Sequence, residues 1–451
     1  MRDILVTGVI FTWLMFVFRR PYQGVYLFTW ISLMNPHRLC WGFAFNFPFA
    51  FIVAVVTILS YLASREPKQV PWSREMWLLL VFNLWILLCT FLAFYPQLAW
   101  PAWNTIWKIQ LFVFLTAMLI NDRKKLEGYL WVLGLSLAFY GVKGGIFTIV
   151  HGGIYRVQGP ASSFIGGNNE LGLALIVTIP ILRYLQLQAR QAWVRHGLAA
   201  VMILTAVAAI GSQSRGALLG TLAMGVFFWL KSRNKFTSAV YIVIAVAIIG
   251  SIMPAAWYER METIKHYQTD ESAQGRINAW WTAYNVANAR LTGGGLDMFK
   301  PPTFREYAPE PYNVHAAHSI YFEPLGELGY PGLVMYVLLG LFTWGTCRRI
   351  IRACKRDPER KWAADLAGMV QVSFIGFATG GAFLSLTFYD YPYDLLVVVV
   401  VTASLVGVIK ARAQPVLQPA AGPPQPARSV AGPWRRFAPS AKDDARQSAP
   451  R

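Results

Sequence analysis

Long apolar segments recur along most of the chain, with short polar loops between them. Each segment approaches the roughly 20 residues that an α-helix needs to cross a bilayer. The apolar residues are continuous, whereas strands of a membrane β-barrel alternate between apolar and polar positions. The pattern therefore predicts an all-α membrane protein with about twelve transmembrane helices. The predicted spans are 4–18, 22–36, 43–63, 76–95, 104–120, 127–149, 169–187, 197–212, 216–230, 236–253, 326–347, 364–386 and 394–410. Because the first two are short, it stays open whether both cross the membrane or one is only embedded in it.

The composition also indicates lipid as the main solvent of the chain. Of its 451 residues, 55% are hydrophobic and only 14% are charged, and the mean hydropathy is +0.41. Soluble domains carry roughly 25% charged residues. The four cysteines lie in or beside apolar segments and form no disulfide framework, so we interpret them as packing residues.

The net charge of +19 follows membrane topology rather than a nucleic-acid surface. Lys and Arg residues collect in short loops at alternate ends of the apolar segments, as the positive-inside rule requires of cytoplasmic loops. We therefore expect a multi-pass protein of a bacterial inner membrane that contacts membrane lipids and no nucleic acid. The basic loops are 19–20, 65–74, 123–125, 190–195, 231–235 and 348–361.

The same pattern divides the chain into four parts. Residues 1–253 form an N-terminal region of transmembrane helices, and residues 321–411 form the C-terminal ones. Between them, residues 254–320 carry six Lys and Arg against seven Asp and Glu, a near-neutral balance typical of a translocated segment. We predict that this segment is one large structured periplasmic loop with short helices. Residues 412–451, rich in Pro, Ala, Gln and Arg, are predicted to be a disordered cytoplasmic tail.

Two shorter patterns refine the outer side of the protein. Within the large loop, the sequence predicts a helix over 273–289 and then a turn at the three glycines 293–295. The glycines resemble a phosphate cradle, but no nucleotide-binding fingerprint accompanies them. Residues 389–394, which alternate Tyr with Asp and Pro, are predicted to form a second outer loop at the level of the lipid headgroups.

Basic residues on the outer side oppose the topological bias and are candidate ligands. Arg156, Arg215 and Arg276 all fall on that side, and Lys143 lies near the outer end of an apolar segment. A guanidinium group binds phosphate oxygens in bidentate fashion, which suits a diphosphate at a membrane surface. The alternative is that these side chains cap helices or extend to lipid headgroups. Arg215 is the hardest to explain that way, because it occupies a very short Ser-rich turn between two apolar segments.

Two histidines end the large outer loop. His315 and His318 precede the helix that carries Glu323 and Glu327. A neutral imidazole can accept the proton of an attacking hydroxyl, as glycosyl transfer requires. The spacing of the two histidines also permits a metal site, but no further Cys or His completes one, so we expect no metal. The structural alternative is that His318 caps the helix.

Several motifs together resemble the O-antigen ligase and polymerase superfamily. They are Ser214-Arg215-Gly216 at the start of a helix, Gly275-Arg276 in the outer loop, and His318-Ser319 running into Leu325-Gly326-Glu327-Leu328-Gly329. The resemblance is best over residues 155–345. Residues 35–38, 270–273 and 317–323 look like the ligase branch that accompanies exosortase systems, the exosortase-associated O-glycosylation ligases.

The resemblance implies a reaction and roles for individual residues. The reaction is a metal-independent, inverting transfer of a glycan from undecaprenyl diphosphate to an acceptor hydroxyl, which in O-antigen ligases belongs to a lipid A-core sugar. Arg215 and Arg276 would hold the diphosphate, and His318 would act as base or orient the acceptor. Arg156, His315 and Lys143 are additional candidates for binding the diphosphate or the acceptor. No cofactor is implied.

Other functions stay open at this stage. An O-antigen polymerase and a protein O-oligosaccharyltransferase of the same superfamily would share the donor and differ in the acceptor. A transporter is disfavoured, because transporters place ionisable residues near the middle of the membrane, often in paired repeats. Here the candidates gather at one predicted surface. Convergence of Arg215 and His318 near that surface would favour transfer.

Overall fold

The computed structural model describes residues 1–231, 234–237, 239–240, 258 and 271–409, which belong to one compact unit, Met1–Arg412. This part of the chain holds fourteen α-helices and no β-strand, which confirms the all-α prediction. The first nine helices are α1 Arg2–Arg19, α2 Tyr22–Met34, α3 Phe49–Ala63, α4 Arg74–Phe91, α5 Pro96–Leu119, α6 Arg123–Val150, α7 Asn168–Gln188, α8 Ala192–Gly211 and α9 Arg215–Lys231. The other five are α10 Glu271–Ala289, α11 Pro301–Tyr307, α12 Phe322–Cys354, α13 Lys361–Gly380 and α14 Asp390–Leu405.

Seven of the described helices are long and apolar enough to cross a membrane: α4, α5, α6, α7, α8, α12 and α13. Helix α3 is apolar but has 15 residues, fewer than a full crossing usually needs. The chain is therefore a multi-pass membrane protein, and the total of about twelve helices stays a prediction. The predicted span 236–253 lies almost wholly outside the described residues, and so do the start of the large loop and the tail 412–451.

Most predicted helices agree closely with the structure, and the exceptions involve local breaks. The helix predicted over 273–289 is α10. The predicted span 43–63 contains a short 3₁₀ turn, Phe43–Asn46, because Pro48 delays the start of α3 to Phe49. The span 364–386 was predicted too long: α13 ends at Gly380.

The triple-glycine turn is hydrogen-bonded to α12 just before a sharp break in that helix. Gly329 has a left-handed φ of 67°, which separates the first two turns of α12 from the rest of the helix. The N–H groups of Gly294 and Gly295 donate to the carbonyls of Gly326 and Glu327 at 2.8 and 2.9 Å. The glycines 293–295 therefore form a structural turn, as predicted, and they hold the loop against α12.

Helices α9 and α13 approach each other through glycines. A Cβ atom at Gly216 would lie 3.1 Å from the carbonyl oxygen of Gly380, and one at Gly220 would lie 3.0 Å from that of Gly376. Small residues four apart on two facing helices allow close backbone packing in membranes. The contact fixes the first turn of α9 beside the end of α13. Lys231 of α9 and Lys361 of α13 lie at the opposite ends of the two helices from this contact.

Candidate active site

A cavity of about 380 Å³ lies between the first turn of α9 and the first turns of α10. Arg215 and Arg276 both line it, so the structure brings together the two arginines that the sequence singled out. Among the described residues that line the cavity, none is acidic. The charged side chains that line the cavity are therefore both guanidinium groups, which can bind an anion.

The turn between α8 and α9 positions Arg215. Gln213 has a left-handed φ of 54°, which reverses the chain, and the Ser214 hydroxyl accepts the N–H of Ala217 at 3.1 Å. This side-chain acceptor at the helix start follows the usual capping geometry. Arg215 is then the first residue of α9 and projects from a helix end that carries partial positive charge.

Helix α10 positions Arg276 and holds the histidine loop. A Cβ atom at Gly275 would lie 2.2 Å from the ring of His315, so the glycine allows that ring to pack against the helix. One turn further on, the side chain of Trp280 donates to the carbonyl of Ala317 at 2.7 Å. The loop that carries both histidines is therefore fastened to the helix that carries Arg276.

His318 has an unusual backbone and a neutral imidazole. Its φ is 43°, in the left-handed region, and its N–H donates to the Ser385 hydroxyl at 3.1 Å. The side chain is half-buried. Burial lowers the pKa of His318 below its ordinary value of 6.5, and the positive charges of Arg276 and His315 lower it further. The imidazole is thus unprotonated near neutral pH and can accept a proton.

Arg156 and Lys143 lie outside the cavity lining. The exposed Arg156 donates to the Gln213 side chain at 3.4 Å, and Gln213 in turn donates to the carbonyl of Gly153 at 3.1 Å. Arg156 therefore supports the turn that carries Arg215. Lys143 is exposed on α6. His315 is not among the described residues that line the cavity. Their predicted contact with substrate stays a prediction.

No group of three or more His, Cys, Asp or Glu side chains is arranged to hold a metal within the described ranges. His315 and His318 therefore have no third ligand among them. His315 lowers the pKa of its neighbour His318.

Sequence comparisons find family matches for two parts of the chain. The profile of a family described as O-antigen ligase matches residues 200–337, which include Arg215, Arg276 and His318. This match supports membership of the chain in the O-antigen ligase superfamily. The profile of a family of unknown function (DUF5935) matches residues 1–190. No curated protein matches the chain.

Membership of the O-antigen ligase superfamily confirms the resemblance seen in the sequence. It implies an enzyme of this type that acts on lipid-linked glycans in a membrane. The matched range does not contain the whole cavity, however. Asn169 lines it from α7, and Phe383 and Leu384 line it from the segment after α13.

The segment 381–389 is the part of the site that the sequence analysis missed. It was predicted partly as helix and partly as connecting loop, yet it runs through the protein interior beside His318. The Glu323 carboxylate accepts the N–H of Thr387 at 3.2 Å and lies beside the hydroxyl of Ser385. Ser385 in turn accepts the N–H of His318. The polar Ser-x-Thr between two apolar segments was the available signal.

The prediction that residues 389–394 form an outer loop is wrong. Tyr389, Tyr391 and Tyr393 are each at most 3% exposed, and Asp390 begins α14. The Asp394 carboxylate accepts the Tyr129 hydroxyl at 2.7 Å, and Asp390 accepts the hydroxyl of Ser32. Because α2 and α6 supply these hydroxyls, the aspartates can be buried in the bundle rather than at its surface.

Proposed function

We propose that this protein is an O-antigen ligase. It transfers a glycan from undecaprenyl diphosphate to a sugar hydroxyl of lipid A-core on the periplasmic face of the inner membrane. The observation that carries this proposal is the convergence of Arg215 and Arg276 in one cavity, with the His318 loop packed on the same helix as Arg276.

The cavity suits the junction between a diphosphate and a hydrocarbon chain. Its two guanidinium groups and the N-terminal end of α9 can bind phosphate oxygens at one side. Leu219, Ile277 and Trp280 give the rest of the lining an apolar character. A volume of about 380 Å³ falls within the range usual for small-ligand sites.

The proposed reaction is a single displacement. His318 accepts the proton of the acceptor hydroxyl, whose oxygen attacks the anomeric carbon from the face opposite the diphosphate. As the sugar–phosphate bond breaks, Arg215 and Arg276 stabilise the negative charge that grows on the leaving group. One displacement inverts the anomeric configuration. The donor carries its own activation, so we expect no cofactor and no metal requirement.

The positions of basic residues along the helices support a periplasmic orientation of the cavity. The cavity lies at the end of α9 and α13 that is remote from Lys231 and Lys361. If the basic loops are cytoplasmic, as the positive-inside rule favours, the cavity opens toward the periplasm. The cavity would then be accessible to lipid-linked glycans on the periplasmic face.

The test is transfer by the purified full chain in liposomes that contain the undecaprenyl-diphosphate glycan and lipid A-core. We expect Arg215→Ala, Arg276→Ala and His318→Ala each to lower kcat/KM by about 100-fold or more. Losses of this size are typical when one charge-stabilising or acid–base group is removed. Arg305→Ala and His151→Ala are matched controls, because both side chains are exposed and lie outside the cavity lining. EDTA should have no effect.

Each other outcome has a defined meaning. Full activity of Arg215→Ala and His318→Ala would reject the site. A parent protein that ignores lipid A-core and glycosylates a protein, or extends a second lipid-linked glycan, would replace the ligase by a protein O-oligosaccharyltransferase or a polymerase that uses the same donor.

A further inference from the structure

A second cavity, of about 330 Å³, lies between α12, α13 and α14, and we call it the lateral groove. Its walls are almost entirely apolar, with aromatic rings from Tyr336, Phe374 and Phe377. Val337 and Leu341 line it and are 38% and 58% exposed, so the groove opens sideways from the helix bundle. Both residues lie in a helix that is long and apolar enough to cross a membrane, from which we infer that the opening faces lipid.

The upper end of the lateral groove is formed by the residues that follow the candidate base. Ile320 and Tyr321 line it, two and three positions after His318. The N–H of Ile320 donates to the carbonyl of Gly381 at 3.0 Å, and the Tyr321 hydroxyl donates to that of Ala378 at 2.9 Å. A chain lying in this groove would present its head group beside the His318 loop.

The arginine cavity and the lateral groove both adjoin one short segment, residues 381–384. Phe383 and Leu384 line the arginine cavity, whereas Ile320, bonded to Gly381 of the same segment, lines the groove. A diphosphate held by Arg215 and Arg276 and a chain held in the groove would thus both lie next to the segment that is bonded to the His318 loop. Two membrane-bound substrates of one transfer reaction require such an arrangement.

We propose that the lateral groove holds a hydrocarbon chain of the lipid that accepts the glycan. The inference rests on the proposed transferase function. The chain of the donor is assigned to the arginine cavity, because the donor diphosphate would be bound there by Arg215 and Arg276, next to the apolar side chains of Leu219 and Ile277. The groove, in contrast, ends at the candidate base, where the accepting hydroxyl must be.

The expected benefit of the groove is orientation rather than hydrophobic burial. A lipid chain is already in an apolar solvent in the bilayer, so moving it into an apolar groove gains little hydrophobic free energy. Fixing one chain restricts the position of the head group, and such positioning can supply a large part of a rate enhancement. The groove should therefore affect lipid acceptors and leave soluble ones unaffected.

Two glycines offer a matched pair of variants. A Cβ atom at Gly340, which lines the lateral groove, would meet nothing within 4 Å, so Gly340→Leu fills the groove without a backbone conflict. Gly225 lines a different apolar cavity of about 410 Å³ between α7, α8, α9 and α13, and a Cβ atom there also meets nothing within 4 Å. Gly225→Leu is therefore the control for added bulk in a membrane helix.

The experiment compares two acceptors with the full chain in nanodiscs. One is intact lipid A-core, and the other is the same core oligosaccharide without its lipid. We expect the parent to prefer the lipid form. Gly340→Leu should lower kcat/KM for that form on the order of tenfold, equivalent to about 1.4 kcal/mol, and leave the soluble form unchanged. Gly225→Leu should change neither. Equal use of both acceptors by the parent, or an equal loss on both in Gly340→Leu, would overturn the proposal.

A second measurement is independent of catalysis. Lipid A-core with a photoreactive acyl chain is cross-linked to the parent protein, and the labelled residues are mapped by mass spectrometry. Labels at Tyr336, Phe374 or Leu396 that excess unlabelled lipid A-core removes would support the groove, even if no transfer is observed and the proposed function fails. Labels elsewhere, or labels that bulk phospholipid removes equally well, would reject it.

Discussion

At the scale of single residues, the backbone of His318 depends on a neighbour from another helix connection. Its left-handed φ of 43° is uncommon for a residue with a side chain and needs outside support. The Ser385 hydroxyl supplies that support by accepting the His318 N–H, and Glu323 lies on the far side of Ser385. We therefore propose that Ser385 and Glu323 are positioning residues, which act through His318 rather than on the substrate.

The role of Ser385 can be measured. Ser385→Ala should lower kcat about fivefold, as expected for one hydrogen bond worth about 1 kcal/mol, with KM for the donor unchanged. Ser385→Thr keeps the hydroxyl and should restore most of kcat. If the two variants are equally impaired and equally unstable to heating, Ser385 has only a packing role.

The pH dependence of transfer should report the imidazole of His318. Because its pKa lies below the ordinary value of 6.5, the base is unprotonated above that pKa. The rate should fall only as the pH drops below 6.5, and the midpoint of this acid limb in kcat/KM gives the pKa. His315→Asn removes one of the positive charges that lower it, so the limb should move to higher pH. An acid limb that is the same in the parent and in His315→Asn would contradict the assignment.

At the scale of helices, the glycine contact between α9 and α13 sets the position of Arg215. A side chain at Gly220 would meet the carbonyl oxygen of Gly376 at 3.0 Å and the side chain of Ile176 at 2.8 Å. Backbone atoms cannot yield cheaply, so the helices must separate.

Gly220→Val should therefore lower the free energy of unfolding by about 1–3 kcal/mol, as overpacking usually does. It should also reduce transfer, because the first turn of α9 shifts with the helix. Gly225→Val on the same helix has open space and should have neither effect. Thermal unfolding in detergent, followed by an activity assay, checks both. Equal behaviour of the two variants would show that the contact is not tight.

Helix-scale features also show where sequence reasoning succeeds and where it ends. Apolar periodicity and the polar turn between two apolar segments were enough to predict α9 and to single out Arg215. The same periodicity extended the predicted span 364–386 past Gly380, because residues 382–386 are mostly apolar although they are not α-helical. The burial of Asp390 and Asp394 was inaccessible, since their partners Ser32 and Tyr129 lie more than 260 residues away in sequence.

The residues of the candidate site also fall into those that local sequence patterns predict and those that they do not. Arg215, Arg276 and His318 were found because each lies in a short, recognisable local pattern. Ser385 contributes through a contact that only folding creates. Arg156 and Lys143 were chosen by charge and predicted side alone, and charge does not determine which way a side chain points.

At the scale of the whole molecule, the cavity and the basic loops lie at opposite ends of the helices they share. All four cysteines are buried, so the parent protein should give little background in a thiol-labelling experiment. Tyr312 is 89% exposed in the large loop, and Arg356 is exposed in a basic loop.

In intact cells, Tyr312→Cys should react with a membrane-impermeant maleimide and Arg356→Cys should not. After the cells are permeabilised, both should react, which controls for accessibility. Labelling of Arg356→Cys alone in intact cells would invert the orientation and place the arginine cavity in the cytoplasm.

The cavity wall formed by Phe383 and Leu384 lies beyond the range 200–337 that matches the O-antigen ligase family. A chimera that exchanges only that range with another superfamily member would combine the arginines and histidine of one protein with the cavity wall of another. The chimera should then acquire only part of the glycan and acceptor preference of the protein that supplied the exchanged range. To transfer the full substrate specificity, residues 381–389 should be exchanged together with residues 200–337.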